Sequence, residues 1–296
     1  MELRQLKYFI KVADLLSFTE AAYQIPISQS TLSQQILNLE LELDTKLFDR
    51  IGKKIYLTQT GKLFYTYAKQ TVQMAEDGKK AITNLAQNVQ GTLKIGSTYA
   101  LRNVLLDTIT QFSGQYPNVQ FEIFFDTTQK LLHDIQELKY DFILTFLSNE
   151  YHNTNLAIET LLKSGLVLVY TNNKNPTPNT KLAIKDLEKL PLVLPHKEYS
   201  TRKYLDEILG KNSIKPNVLA QVNDIATLFQ LVQTGNFYSI TSQVTIQNMP
   251  NIGFKPIENI EDIQTASIIT LKNMYYTHTL NQFLEQLKYI ARTYNT

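Results

Sequence analysis

No cysteine occurs among the 296 residues. That absence removes disulfides, thiolate metal sites, thiol nucleophiles and thiol redox sensing in one step, and it fits a cytoplasmic chain. Long apolar runs are missing as well, so no segment is suited to crossing a membrane. Met1-Glu2-Leu3-Arg4-Gln5 lacks the basic-then-apolar order of a secretory signal, and a cytoplasmic location is the expectation. Nor is there a strong charge of one sign. With 29 Lys and Arg against 27 Asp and Glu, the net charge is +2, so any nucleic-acid surface must be local. His133, His152, His196 and His278 are scattered without metal-ligand spacing, and neither a nucleophile elbow nor a Gly-rich phosphate loop occurs. No metal, cofactor or catalytic residue is therefore expected. What remains is ordinary globular composition, 43% hydrophobic and 19% charged, in a chain long enough for two domains.

The most informative stretch is Ser28 to Glu40. Leu32, Ile36, Leu39 and Leu43 step by four, three and four, one apolar stripe at helical spacing. Ser28 suits the N-cap, and Pro26 stops whatever precedes it. The opposite face carries Gln29, Ser30, Ser33 and Gln34, which hydrogen-bond and bear no charge. A solvated face is usually built from Lys and Glu, whereas Gln and Ser suit base edges in a major groove. An ordinary amphipathic surface helix is the plainer reading of the same pattern. The flanks decide between them. Leu3 to Leu16 reads as a helix, and Ser17-Phe18-Thr19-Glu20-Ala21-Ala22-Tyr23 starts a second with Ser17 or Thr19 as cap. A short connection through Pro26 then gives a helix-turn-helix. Leu47 to Thr58 alternates like a small hairpin with Gly52 at its tip and Arg50, Lys53 and Lys54 around it. Such a basic wing suits phosphates or the minor groove.

From Thr60 to about Val89 the chain stays helical for roughly thirty residues, or about 45 Å. Phe64, Ala68, Thr71, Ala75, Gly78, Ile82, Leu85 and Val89 alternate steps of four and three, a coiled-coil seam whose partner is the same helix of a second copy. A packing helix within one chain is the alternative. After Gln90-Gly91, strands alternate with helices twice over, near 92–161 and again from Leu162. That pattern predicts two α/β lobes with parallel sheets and a cleft between them. Ser97-Thr98-Tyr99, Thr128 and Ser200-Thr201 each precede a helix at a strand's C-terminal end, where open α/β sheets bind ligands. Hydroxyls and free N–H groups there favour a small polar or anionic ligand, with His196, Arg102, Lys197 and Arg202 nearby. Simple helix capping accounts for any one of these hydroxyls equally well.

The order of parts resembles the LysR-type transcriptional regulators. The resemblance rests on Leu3-Arg4-Gln5-Leu6, Ser17-Phe18-Thr19-Glu20-Ala21-Ala22, Ser28-Gln29, Leu32-Ser33-Gln34-Gln35-Ile36, Leu39-Glu40, Leu47-Phe48-Asp49-Arg50 and Leu57-Thr58-Gln59-Thr60-Gly61. Behind these, Leu93-Lys94-Ile95-Gly96, Tyr116-Pro117-Asn118-Val119, Asp141-Phe142-Ile143-Leu144 and Asp224-Ile225-Ala226-Thr227-Leu228 are similar to the family's effector domain. Phe48-Asp49-Arg50-Ile51-Gly52 and Tyr199-Ser200-Thr201-Arg202 are similar to its cyanate-responsive subgroup. The resemblance implies an α/β chain with an N-terminal winged helix-turn-helix (1–59), a long dimerisation linker helix (60–89) and an effector domain (90–296). That domain would be two-lobed and periplasmic-binding-protein-like (type 2), with lobe 1 near 90–161 and 266–296 and lobe 2 near 162–265. It further implies double-stranded DNA as partner, a small effector between the lobes, a homodimer or homotetramer, RNA polymerase for an activator, and no membrane. Residue types and resemblance together put Gln29, Ser30, Thr31, Ser33 and Gln34 at base edges. They put Ser17, Thr19, Ser28 and Thr58 at phosphates, and Arg50, Lys53 and Lys54 at the backbone or minor groove. Ser30 stands where the family often has Pro, and Gln34 where many members have Arg, which shifts affinity toward the wing. Ile240-Thr241-Ser242 replaces a more apolar ending, so a wetter cleft is expected. Two rivals lack this support: an enzyme on the α/β lobes, and a ligand-binding protein with a dimerisation arm and no DNA activity.

Overall fold

The structure, a computed structural model, describes all residues except 53, 84–88, 149–150, 177–180, 248, 259–263, 273 and 295–296, and the backbone alone at 50, 80, 81 and 83. It divides into two units, Met1–Gln87 and Asn88–Thr296. Among the described residues no helix is long and apolar enough to cross a membrane.

The first unit opens with α1 (Leu3–Leu15), α2 (Phe18–Gln24) and α3 (Gln29–Glu42). Ser17 and Ser28 cap the second and third, accepting hydrogen bonds from the amides of Glu20 and Thr31. Strands β1 (Phe48–Ile51) and β2 (Lys54–Leu57) pair antiparallel, and Gly52 takes a φ of +62° at the tip, a conformation that favours glycine. Helix α4 (Gln59–Thr83) follows. The core gathers Leu6, Phe9 and Val12, Ala21 and Ala22, and Leu32, Ile36 and Leu39, the last three belonging to the stripe expected for α3. Gly61 is required where α4 starts, since a Cβ there would lie 2.1 Å from the Leu47 carbonyl oxygen. Glu40, on the last turn of α3, ties the hairpin to that helix: its Oε1 accepts from the amides of Leu47 at 2.7 Å and Phe48 at 3.1 Å.

The second unit holds two sheets. Strands β3 (Gly91–Ser97), β4 (Val119–Phe125), β5 (Phe142–Leu147) and β6 (Leu156–Ser164) alternate with α5 (Arg102–Gln115) and α6 (Thr128–Gln136). Lobe 2 follows, with β7 (Leu166–Thr171), β8 (Leu192–Pro195), α7 (Ser200–Lys211), β9 (Val218–Val222), α8 (Ile225–Gln233), β10 (Ser239–Ser242), α9 (Gln243–Ile246) and β11 (Ile252–Pro256). Strand β12 (Gln264–Leu271) and α10 (His278–Arg292) return to lobe 1. The order in lobe 1 is β4-β3-β5-β12-β6. In lobe 2, β8 with β9 meets the β10-β7-β11 sheet through a parallel bridge from Leu192 to Tyr238, which gives the matching order β9-β8-β10-β7-β11. Central strands such as β5 and β8 are buried nearly end to end and read as unbroken apolar runs, while the edge strand β9 alternates.

Three expectations need correction. The sheets are mixed rather than parallel, because β12 re-enters lobe 1 from lobe 2 and pairs antiparallel with both β5 and β6. Position 162 is no boundary: β6 runs on to Ser164 and the chain changes lobe at Gly165. Helix α6 begins at Thr128 with Thr127 as its side-chain cap, and it ends at Gln136, before Lys139.

Asp134 shows how α6 is fixed to lobe 1. Its carboxylate is buried and accepts from Lys139 at 2.7 Å, with Lys130 at 3.5 Å. Burial pushes this carboxyl up, but the Lys139 and Lys130 ammoniums outweigh it and hold it below the ordinary value. A depressed carboxyl stabilises the fold above its unfolded pKa, and that stability is lost as pH falls through the folded value. Asp134→Asn is therefore expected to cost about 1.5–3 kcal/mol at pH 7. Melting curves should show the deficit shrinking as pH falls below the ordinary carboxylate range. Glu40→Ala should leave two amides unpaired and cost about 1–3 kcal/mol. Amide exchange should accelerate at Leu47 and Phe48 while the α1–α2 core stays protected.

Candidate functional site

The exposed side of α3 carries the residues singled out above. Gln29, Ser30, Thr31 and Gln34 are exposed and Ser33 is half-buried, while Leu32, Ile36 and Leu39 behind them are buried. At its start the hydroxyls form a chain, with Ser28 Oγ 2.9 Å from Ser30 Oγ and 2.7 Å from Thr31 Oγ1. Further along, Gln34 Nε2 donates to Asn38 at 3.0 Å. The face is thus uncharged and rich in donors and acceptors, with its rotamers partly set by neighbours. Ser17 is half-buried and accepts from the Glu20 amide, which leaves its hydroxyl proton free to reach an acceptor, and Thr19 is exposed beside it. Thr58 differs. Its hydroxyl donates to the Lys46 carbonyl at 2.8 Å and accepts from the Gly61 amide at 2.8 Å, so it caps α4. In the wing, Lys54 is exposed. The Arg50 side chain and all of Lys53 lie outside the described residues.

The seam assigned to α4 divides. Phe64 and Ala68 pack against α1, with the rings of Phe64 and Phe9 5.2 Å apart, because α1 runs alongside the first turns of α4. Lys7 of α1 reaches Glu76 at 2.5 Å along the same side. Thr71, Ala75, Gly78 and Ile82 are exposed. Leu85 lies outside the described residues, and Val89 is not helical but packs on the lobe 1 core. Three apolar residues escaped the sequence reading: Leu63, Tyr67 and Met74 are each more than 60% exposed, as is Ile82 of the assigned seam. Heptad spacing fits either stripe, and only the position of α1 shows which one faces outward.

In the second unit one cavity lies between the lobes, with a free volume of about 30 Å³. Thr98, Tyr99 and Ala100 line it from lobe 1, and Tyr199, Ser200, Thr201, Asp224 and Thr241 from lobe 2. The rings of Tyr99 and Tyr199 stand 6.2 Å apart edge to face, and Tyr99 stacks on Phe125 at 5.1 Å. The Tyr199 hydroxyl donates to the Asn223 carbonyl at 2.5 Å. Burial pushes this phenol up, and Tyr99, Asp126, Asp224 and Glu198 push the same way.

Of the seven residues expected around an effector, Thr98, Tyr99, Ser200 and Thr201 line the cavity. Ser97 sits behind it, its hydroxyl donating to the Thr98 carbonyl at 3.0 Å. Thr128 pairs with the Thr145 hydroxyl at 2.7 Å, and His196 is exposed opposite Glu198, so neither lines it. Arg202 points elsewhere as well. Its guanidinium is buried against Asp206, the Pro195 carbonyl and Gln221, and it locks α7 to the ends of β8 and β9. Tyr199, Asn223 and Asp224 went unassigned in the sequence reading, where Tyr199 and Asp224 enter only through the family resemblance. Among the described residues no cluster of His, Asp or Glu is placed to hold a metal.

Comparison with known proteins follows the same two-part division. Residues 3–62 match the family described as bacterial regulatory helix-turn-helix protein, lysR family, and residues 86–291 match the LysR substrate binding domain. These matches identify the family rather than any subgroup. The HTH-type transcriptional regulator BsdA of Bacillus subtilis (strain 168) is 28% identical over 290 residues, covering 96% of this chain and 99% of the relative. The regulator YwqM of the same organism, itself uncharacterized, is 32% identical over 252 residues, covering 84% of each chain. A full-length OxyR variant from Pseudomonas aeruginosa superposes with a TM-score of 0.71 at 21% identity, over 99% of this chain and 95% of that one. Full-length CbnR complexed with its target DNA gives 0.65 at 21%, over 98% and 100%. With both parts matched in order along nearly the whole length, the chain belongs to the LysR family of DNA-binding transcriptional regulators.

Proposed function

We propose that Gln29, Ser30, Thr31, Ser33 and Gln34 read base edges in a major groove, while Ser17, Thr19, Ser28, Arg50, Lys53 and Lys54 hold the sugar–phosphate backbone. Thr58, whose hydroxyl is fully engaged, acts by capping α4. The observation that carries this reading is the uncharged, exposed front of α3 over a fully buried stripe, with a basic hairpin fastened to the same helix by Glu40. Amides and hydroxyls discriminate bases by hydrogen-bond pattern, whereas the wing's cations contribute affinity without sequence information. Two copies join through the outward stripe of α4, Leu63, Tyr67, Met74 and Ile82, which is too apolar to stay solvated on a long helix. Pairs of dimers then hold two stretches of DNA, and a small effector in the inter-lobe cleft changes how they hold it. A regulator that meets chromosomal DNA in this way works in the cytoplasm.

Titrations on specific and scrambled duplexes at several salt concentrations test the division of labour. Gln29→Ala should cost about 1–3 kcal/mol on the specific duplex only. Lys54→Ala should weaken both duplexes alike and flatten the salt slope by about 1. Equal weakening by Gln29→Ala on both duplexes would remove it from base reading. Met74→Glu should convert the dimer to monomer in sedimentation velocity without changing the far-UV spectrum, and an intact dimer would exclude that stripe.

A further inference from the structure

Two helices of lobe 2 start at the cleft, and they start differently. Asp224 caps α8: its Oδ2 accepts from the Thr227 amide and from the Thr227 hydroxyl, both at 2.7 Å. Those bonds hold the carboxyl below its ordinary value, so it is an anion at neutral pH. Helix α7, twelve residues long, has Tyr199 at its N-cap and no side-chain acceptor for its first-turn amides. Thr98 of lobe 1 faces the same cavity. It is 4% exposed and its Oγ1 has no hydrogen-bond partner. A buried hydroxyl in that condition is costly until a hydrogen-bonding atom meets it. The cavity therefore offers donors at one end, from the α7 start and Thr98, and a fixed negative charge at Asp224. Among its described lining residues there is no Lys, Arg or His.

A simple carboxylate would match the donors but face Asp224 without a balancing cation. A simple amine would match Asp224 and leave Thr98 and the α7 amides unmet. Resting on the cleft reading above, we propose that the effector is a small zwitterion, a short-chain α-amino acid. Its carboxylate is held by the first turn of α7 and Thr98, and its ammonium faces Asp224. Val222, Ile225 and Leu228 give the side chain an apolar wall, and the small free volume favours a short one. This narrows the small polar or anionic class expected from helix starts, because the α8 start at the cleft carries a carboxylate of its own.

Calorimetric titration of the full-length protein with glycine, L-alanine and L-serine, against propionate and ethylamine, tests the assignment. At least one amino acid should bind, and neither propionate nor ethylamine should bind comparably. Asp224→Asn, which still caps α8, and Thr98→Val should each weaken that amino acid about tenfold or more. Propionate binding as tightly as the amino acids, undiminished binding by Asp224→Asn, or no heat from any amino acid would overturn it. Gel shifts with unliganded protein keep the readings apart, since specific DNA binding that persists leaves the regulator intact whatever the titration returns.

Discussion

The first turn of every helix leaves amides without an intrahelical partner, and how each is met organises this molecule. Ser17, Ser28, Thr127, Asp224 and Thr277 meet them with their own side chains. Thr58 does so while also bonding the Lys46 carbonyl, so the end of the wing and the start of α4 share one hydroxyl. The uncharged front of α3, proposed above to read bases, grows from the same constraint, since Ser28 is both cap and first link of the hydroxyl chain to Ser30 and Thr31. Capping fixes the backbone of that first turn and keeps its side chains together on the exposed side. The start of α7, which has no side-chain cap, lies at the cleft.

Glu40 plays the complementary part. A hairpin of two four-residue strands has little stability alone. One carboxylate oxygen holding two adjacent amides makes the wing an extension of α3, which would let the proposed base-reading and phosphate-holding groups act as one body. Phe48, ringed by Phe9 and Phe18 at 5.4 and 5.7 Å, adds an aromatic anchor on the core side. A spacing between α3 and wing that must fit adjacent grooves gains from such rigidity.

Much of this was legible in the sequence where period and punctuation agree. Ser28, Pro26 and the Leu32–Ile36–Leu39 stripe give α3 its start, direction and buried side without ambiguity. Legibility failed where one pattern fits two arrangements. On α4 apolar residues recur along two neighbouring stripes, and nothing local says that α1 covers the one with Phe64 and Ala68. Strand β6 was missed because Glu159, Thr160 and Lys163 interrupt its apolar residues at an edge of the sheet. Asp224 was not assigned to the cleft, because what it shares the cavity with, Thr98, lies more than a hundred residues away in the chain. Arg202 reads as a free cation and is instead buried among its own lobe's acceptors.

The cleft also implies how binding is felt. Tyr99 and Tyr199 nearly touch across it, so a ligand larger than the free space enters only when the lobes part. The lobes are also joined beside this pair, through α9. Val244 sits in the lobe 1 core, Asn103 donates to the Thr245 carbonyl at 2.9 Å, and the Thr245 hydroxyl donates to the Ala100 carbonyl at 3.3 Å. Ala100 and Thr98 belong to one turn, with the Leu101 amide bonded back to the Thr98 carbonyl at 3.1 Å. A ligand that engages Thr98 would therefore bear on a turn that also contacts α9. Its differential affinity for the two lobe spacings sets how far the equilibrium can shift, and a contact made equally well in both would signal nothing.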